Sequence, residues 1–494
     1  MTSSNTVQAE TYKNARPLDV HTWSDYPEVN TFVNQLFELI SSFKGNKNIG
    51  KKLVKVVLLD LYLAWSADPN LKIMFSRNNN SYQAKSRYNE LHIGKKLIDL
   101  VDLLEAHGFI HQKKGFQDRI RNRGYQSRIW PSEKLISLFY EAKFNPFMIN
   151  HQEDRECIVL RSEDGDDMPY EDTAKTKRMR SILTDYNQLL AETHIDIYDL
   201  DMPVIEIGEG SKSMRLQVNQ QGKFVRRIFN RESFSKSGRF FGGWWQRCPK
   251  DYRKRITLDG IPTAEIDYSG LHIVLLYAQE GINYWTEVNE DPYAIHGLND
   301  IAPSIDLRKT AKLLLLMAIN ADTEATAFGA FRQQADHGSL DKKLNNKQLG
   351  LLLSHLKRRH VSIAHKLTSG AGIDLMHTDS QITEIIIQRF TQRGIPILTV
   401  HDSYIVPFGY DYLLKQTMEE AFEQVTGIAH PEVDHTQYYP HELHQAEDHV
   451  TIDETKSILC EHRSKRHLID LELFKQFKQK PETPSWLPEL QEFY

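Results

Sequence analysis

Two short apolar runs, each closed by one aspartate, constrain this chain most: TAEI leads into Asp267 within EIDYSGLH, and ILTV leads through His401 into Asp402 within LTVHDSYIVP. Both runs have the apolar, β-rich make-up of buried strands. If the strands are neighbours, the two carboxylates converge on one place. Carboxylate oxygens are the ligands that hard divalent cations accept, and two such ions about 3.5–4 Å apart suit nucleotidyl transfer. Singly, either aspartate reads as well as a strand-end turn or a helix cap. The order of the elements around them turns the pair into a candidate site.

Between the aspartates lies LRKTAKLLLLMAINA, with Arg308, Lys312, Leu316 and Asn320 each four residues apart. Positions at that spacing drift slowly round a helix and share one broad face. Upstream, SGRFFGGWWQRCP sets Trp244 and Trp245 beside Arg239 and Arg247. Aromatic faces stack on unpaired bases while arginines hold phosphates, so this cluster is a candidate nucleic-acid contact.

These four elements, over roughly residues 235–410, resemble the DNA polymerase I (family A) type polymerases, with similarity also to the single-subunit RNA polymerases of phages and mitochondria. Asp267-Tyr268-Ser269 is similar to the first palm motif and His401-Asp402-Ser403 to the third. The Arg308 helix resembles the fingers helix that grips the incoming triphosphate, and SGR resembles a segment that contacts primer and template. The resemblance implies catalytic Asp267 and Asp402 holding two Mg²⁺ ions, with Mn²⁺ as a substitute. It implies Arg308 and Lys312 on the triphosphate, with His272 and Asn320 also at the nucleotide. Arg239 falls to primer or template.

The departures from the pattern bear on substrate. His272 stands where the DNA polymerases carry a glutamate that blocks the ribose 2′-hydroxyl, and Ser403 replaces a second glutamate. Leu316 and Asn320 stand where that family has aromatic residues. The choice between dNTP and NTP therefore stays open, as does a palm that has lost catalysis.

A chain of 494 residues with 40% hydrophobic and 10% aromatic content divides into two to four domains with ample core. A net charge of −5 excludes a uniformly basic coat, so nucleic-acid contact has to come from local clusters. No stretch approaches about 18 apolar residues, and MTSSNTVQAETYKN has no signal-peptide pattern, which sets an expectation of cytoplasmic residence without a membrane partner. Cys157, Cys248 and Cys460 lie too far apart for a zinc knuckle or a disulfide framework. The C-terminal His430, His435, His441, His444 and His449 match no metal-ligand spacing.

The densest basic run is HQKKGFQDRIRNRGYQSRIW, which gathers Lys113, Lys114, Arg119, Arg121, Arg123 and Arg128 against Asp118. It follows two helical patterns, from Lys51 and from Leu91, and reads as two strands around a loop. Helices followed by a basic hairpin resemble a winged helix, which binds duplex DNA through a helix in the major groove and a hairpin on the backbone. A solvated basic hairpin has the same sequence signature.

The expected fold class is thus α+β: a winged-helix-like DNA-binding domain over 1–145, then a right-hand polymerase core. Its parts are a linker and small helical thumb over 146–232 and a palm with antiparallel sheet plus helical fingers over 233–430, followed by a C-terminal extension over 431–494. The functional expectation is a template-directed nucleotidyltransferase acting on DNA, as primer-template or duplex, with nucleoside triphosphates. An RNA polymerase or primase, a non-catalytic replication initiator and a two-metal nuclease are the alternatives.

Overall fold

A computed structural model of the protein describes residues 14–477, apart from 41–42, 119–122, 152–153, 209–213, 296–304, 337, 430 and 438–461. Its N-terminal part is built on α1 (Pro27–Leu39) and α2 (Lys47–Ala67). The Asn46 side chain caps α2 by accepting from the amides of Asn48 and Ile49, and every residue from Leu53 to Ala64 is buried. Such a helix is a central pillar rather than an amphipathic surface element. Around it the chain adds β1 (Ala15–Pro17), β2 (Lys72–Phe75), α3 (Lys96–Ala106), β3 (Ile110–Lys113), β4 (Phe116–Asp118), β5 (Arg123–Tyr125), β6 (Ser127–Pro131) and α4 (Glu133–Glu141). The sheet order is β1-β2-β6-β3. Because β4 pairs with β5 while β3 pairs with β6, the strands of 110–118 and 123–131 form the two arms of one long hairpin rooted in the sheet.

Two buried clusters divide the chain, one running from Val29 to Ile149 and the other from Cys157 to Phe422. The second begins with β7 (Ile158–Arg161) and α5 (Ala174–Ala191), which a Thr173–Thr176 capping box starts. Met179, Leu183, Tyr186 and Leu190 of α5 share the core of the later strands, and the Tyr186 hydroxyl donates to Ile397 O at 2.7 Å. The helix expected as a small thumb therefore does not stand apart. Nor do the strand-like runs on either side of Gln221-Gly222, SMRLQV and KFVRRIFN, pair with each other as a hairpin. Met214–Gln217 pairs with Val204–Ile207, whereas β9 (Arg226–Phe229), which comes after β8 (Ile195–Ile197), pairs with β7 and with β10 (Ser237–Phe241). A 3-10 turn over Gln221–Lys223 sends the chain on to the second sheet instead of folding it back.

The central sheet runs β8-β11-β12-β14-β13, with β11 (Ile256–Leu258), β12 (Ile261–Tyr268), β13 (Leu398–Val400) and β14 (Ser403–Pro407). A further strand, β15 (Val433–Gln437), also pairs with β12, and all these pairings are antiparallel. Helices α6 (Leu271–Gln279), α7 (Leu307–Asn320), α8 (Asn346–Arg359), α9 (Gly372–Thr391) and α10 (Asp411–Thr426) bury their apolar faces in the same core. The region expected as an extension is thus partly built in: β15 joins the sheet, and α11 (Lys465–Phe477) packs beside β8. His430, His441, His444, His449 and Cys460 lie outside the described residues. Among the described residues no helix is long and apolar enough to cross a membrane.

Candidate active site

Strand β12 carries Asp267 near its end, and the antiparallel register sets Asp267 opposite Ser403 of β14. Val400 pairs with Ser403, which leaves His401 and Asp402 as the two loop residues of the β13–β14 hairpin. A two-residue hairpin of this hand needs a positive φ, and His401 supplies it at 58°. A non-glycine residue held in that region stores backbone strain, a feature of functional turns. On the other side of β12, β15 sets Asp434 opposite Asp267. Three strands therefore bring aspartates to one end of the sheet.

The Asp267 carboxyl is pushed up to about 7, first by burial, then by the like charges of Asp402 and Glu265, with Asp434 adding and Lys312 opposing. Its Oδ1 is buried and has no hydrogen-bond partner among the described residues. A carboxylate so placed either holds a proton or awaits a cation. Glu265, two residues back on the same face of β12, is already engaged. It accepts from Ser403 Oγ at 2.7 Å and from Arg253 at 3.0 Å. The serine after Asp402 is thereby anchored to the strand that carries Asp267.

A second buried network borders this end. Asp379 of α9 is 1% exposed, and its Oδ2 accepts from Arg239 Nε at 2.9 Å and from the Arg239 terminal nitrogen at 2.8 Å. Burial, with the charge of Asp402 adding, pushes Asp379 up to about 7 despite that arginine. The same arginine donates to His272 Nε2 at 3.1 Å. Burial first, then Arg239, push His272 down to about 4. A neutral ring that accepts at Nε2 carries its proton on Nδ1, which makes Nδ1–H the group His272 can offer.

Helix α7 presents the expected face. Arg308, Lys312, Leu316 and Asn320 are exposed together, while Ala311, Leu314, Leu315 and Ala318 are buried. Asp306 caps the helix by accepting from Lys309 N at 3.1 Å. Arg308 pairs with Asp291 at 2.7 Å, and both Arg308 and Lys312 lie over the Tyr293 ring, at 5.7 and 5.5 Å. Tyr293 is pushed up to about 12 by burial and then by the charge of Asp402. Asn320 spends its amide on Leu316 O at 2.8 Å.

Several expected contacts need correction. Trp244 and Trp245 are 5% and 0% exposed, and Trp245 Nε1 donates to Thr399 O at 3.1 Å. They pack the core behind the β13–β14 hairpin and offer no face to a base. Arg239 is held by Asp379 and His272 rather than extended toward nucleic acid. Arg128 is 5% exposed and donates to Gln126 O at 2.7 Å, so it braces the root of the hairpin. Lys113 is half-buried and Lys114 exposed on the same hairpin. Arg119 and Arg121 lie outside the described residues, and of Arg123 only the backbone is described.

Asp379, Glu265, Tyr293 and Asp434 were missed in the sequence. Glu265 sits in the same TAEI run as Asp267 at strand spacing, which was the available signal. Nothing local marks Asp434, because its strand follows the β13–β14 hairpin only after a helix.

No family model and no curated protein matches the chain. Among solved structures it is similar to the POL domain of Pol1 from M. smegmatis in complex with DNA primer-template and dNTP. The identity is 12%, over 87% of this chain and 68% of that one, with a TM-score of 0.30. At that level the likeness decides neither fold nor activity, and the residues have to carry both.

Proposed function

We propose that the chain is a template-directed nucleotidyltransferase, a DNA polymerase-like enzyme that extends a 3′-hydroxyl from nucleoside triphosphates. The observation that carries this reading is the buried, unpartnered Oδ1 of Asp267 beside Asp402, with the cationic face of α7 close enough for Lys312 to act on Asp267. The donor set is all oxygen, as Mg²⁺ or Mn²⁺ requires. Asp267 and Asp402 would hold the ions, which when bound supply Lewis-acid stabilisation of the reacting oxygens.

The other roles belong to side chains. Lys312 and Arg308 neutralise phosphate charge, Arg308 exchanging Asp291 for the triphosphate. Arg239, fixed by Asp379, holds His272 with Nδ1–H as its donor. In the N-terminal part, the two helices and the long basic hairpin support a winged-helix-like, duplex-binding module in which Lys113 and Lys114 meet the backbone.

Extension of a labelled primer on a single-stranded template with Mg²⁺, with dNTPs and NTPs supplied separately, tests the reading. Extension that Asp267→Ala and Asp402→Ala abolish supports it, and the pool that is used separates a DNA polymerase from an RNA polymerase or primase. Duplex binding without extension from either pool would favour a non-catalytic initiator.

A further inference from the structure

Away from the carboxylates, a second cluster joins the C-terminal helix to the edge of the central sheet. His194 directly precedes β8 and Asp196 lies within it, so the two sit at strand spacing on one face. His467 of α11 lies across them, with Nδ1 at 2.6 Å from Asp196 Oδ2. His194 and His467 are 0% exposed and Asp196 1%. Both ring nitrogens of His194, and Nε2 of His467, are buried with no partner among the described residues. One ligand atom from each of the three residues lies within 4.8 Å of the others.

We infer that His194, Asp196 and His467 form a binding site for one divalent transition-metal ion of the zinc class, which pins α11 to the central sheet. His194, with neither ring nitrogen partnered among the described residues, calls for an occupant beside Asp196 and His467, since buried polar atoms are nearly always satisfied. Shifts of under about 1 Å bring the three donors to the about 2.0–2.2 Å bonds that zinc takes. Two imidazoles and one carboxylate suit zinc over magnesium or calcium, with water completing a tetrahedron. His467 would bind through Nδ1, which exchanges its contact with Asp196 Oδ2 for the shared ion.

Neighbouring cations do not block the site. The Lys223 ammonium is held by the carbonyls of Ala191 at 3.0 Å and Thr193 at 2.7 Å. Arg466 is shared among Asp196, Asp470 and the carbonyls of Ile197 and Leu200. It takes one lone pair on each Asp196 oxygen, at 3.0 Å. Among the roughly four lone-pair sites of a carboxylate, that leaves room for the ion. The same helix reaches the N-terminal part, where Phe474 meets Phe147 and the Tyr26 hydroxyl donates to Phe477 O at 3.2 Å. An ion here therefore fastens a helix that touches both cores.

The test uses the full chain, expressed with zinc, treated with chelator and then titrated with Zn²⁺ alone in excess Mg²⁺, so that the aspartate site is saturated. One Zn²⁺ per chain is expected. Affinity should fall at least about 100-fold in His194→Gln and in His467→Gln, since even the loss of a ligand's hydrogen-bond partner costs about 10- to 100-fold. Wild type but neither variant should gain thermal stability from Zn²⁺. Equal zinc binding by wild type and both variants overturns the inference, and so does none by wild type. If the variants do not fold, Co²⁺ substitution of wild type decides. The intense visible bands of a tetrahedral nitrogen-ligated site support the inference, and their absence leaves a water-filled polar cluster.

Discussion

The carboxylate end of the central sheet and the basic hairpin of the N-terminal part handle charge in opposite ways. At the sheet, a few like charges are forced together and partly buried by strand register, so that Asp267 is pushed up to about 7 and keeps an unpartnered oxygen. On the hairpin, Lys113 ends β3, half-buried, and Lys114 follows it, exposed. On the proposed reading, the first arrangement is relieved when a cation arrives and is specific about which atoms that cation meets. On the same reading, the second attracts phosphate from any direction and fades with salt. One region is suited to chemistry and the other to holding.

The largest effect should come from the sheet. Replacing Asp267 or Asp402 by alanine should lower primer extension by at least about 10³-fold, because each takes away electrostatics focused on the reacting atoms. Duplex binding, measured by anisotropy, should stay within about 2-fold, since it rests on the hairpin's phosphate contacts. A parallel loss of both would erase the contrast between the regions.

Asp379→Asn comes next. It leaves Arg239 without its countercharge beside His272, and breaking a buried pair costs about 3–5 kcal/mol. Extension should fall by about 10- to 100-fold, with Asp379→Glu recovering part of it. A drop in thermal midpoint with unchanged turnover of the folded fraction would reduce Asp379 to a packing role.

The pH dependence of the metal-free protein sharpens the same point. Asp267 and Asp379 are both raised to about 7, so between about pH 4 and 7 the native state binds more protons than the unfolded chain. The stability they contribute is therefore full below the unfolded carboxylate range and is lost as pH rises through about 7. Buried histidines such as His272, pushed down to about 4, act with the opposite sign. The difference between wild type and Asp267→Asn isolates the effect. Thermal midpoints should fall more steeply with pH in wild type, and excess Mg²⁺ should remove that difference. Parallel curves without metal would mean that Asp267 is not strained.

The smallest effect belongs to the hairpin. Lys113→Ala with Lys114→Ala should weaken duplex binding a few-fold and reduce the salt slope by about 1 to 2, without altering turnover on saturating primer-template. A larger effect on turnover than on binding would move the hairpin toward the reaction.

What was legible in the sequence were the local patterns. An aspartate at the end of an apolar run, and a four-residue spacing of Arg308, Lys312, Leu316 and Asn320, already state which face or strand end a side chain occupies. What was hidden depends on partners far along the chain. Arg239 reads as a free cation until Asp379, 140 residues later, closes on it. Arg227, in the basic strand-like run KFVRRIFN, has its side chain 3% exposed and paired with Glu384, 157 residues later. Trp244 and Trp245 look like a base-stacking platform because aromatic and basic neighbours have the same sequence signature in a groove and in a core. Strand β15 and the His194 cluster lie in stretches with no local periodicity to announce them.

The most direct test of the central claim is single-nucleotide incorporation on templates that differ only in the base opposite the primer terminus, with wild type beside Asp402→Asn. The account predicts that the nucleotide added by wild type follows the template base, requires Mg²⁺ or Mn²⁺, and disappears in the variant. Incorporation that ignores the template base, or that survives in Asp402→Asn, would contradict it.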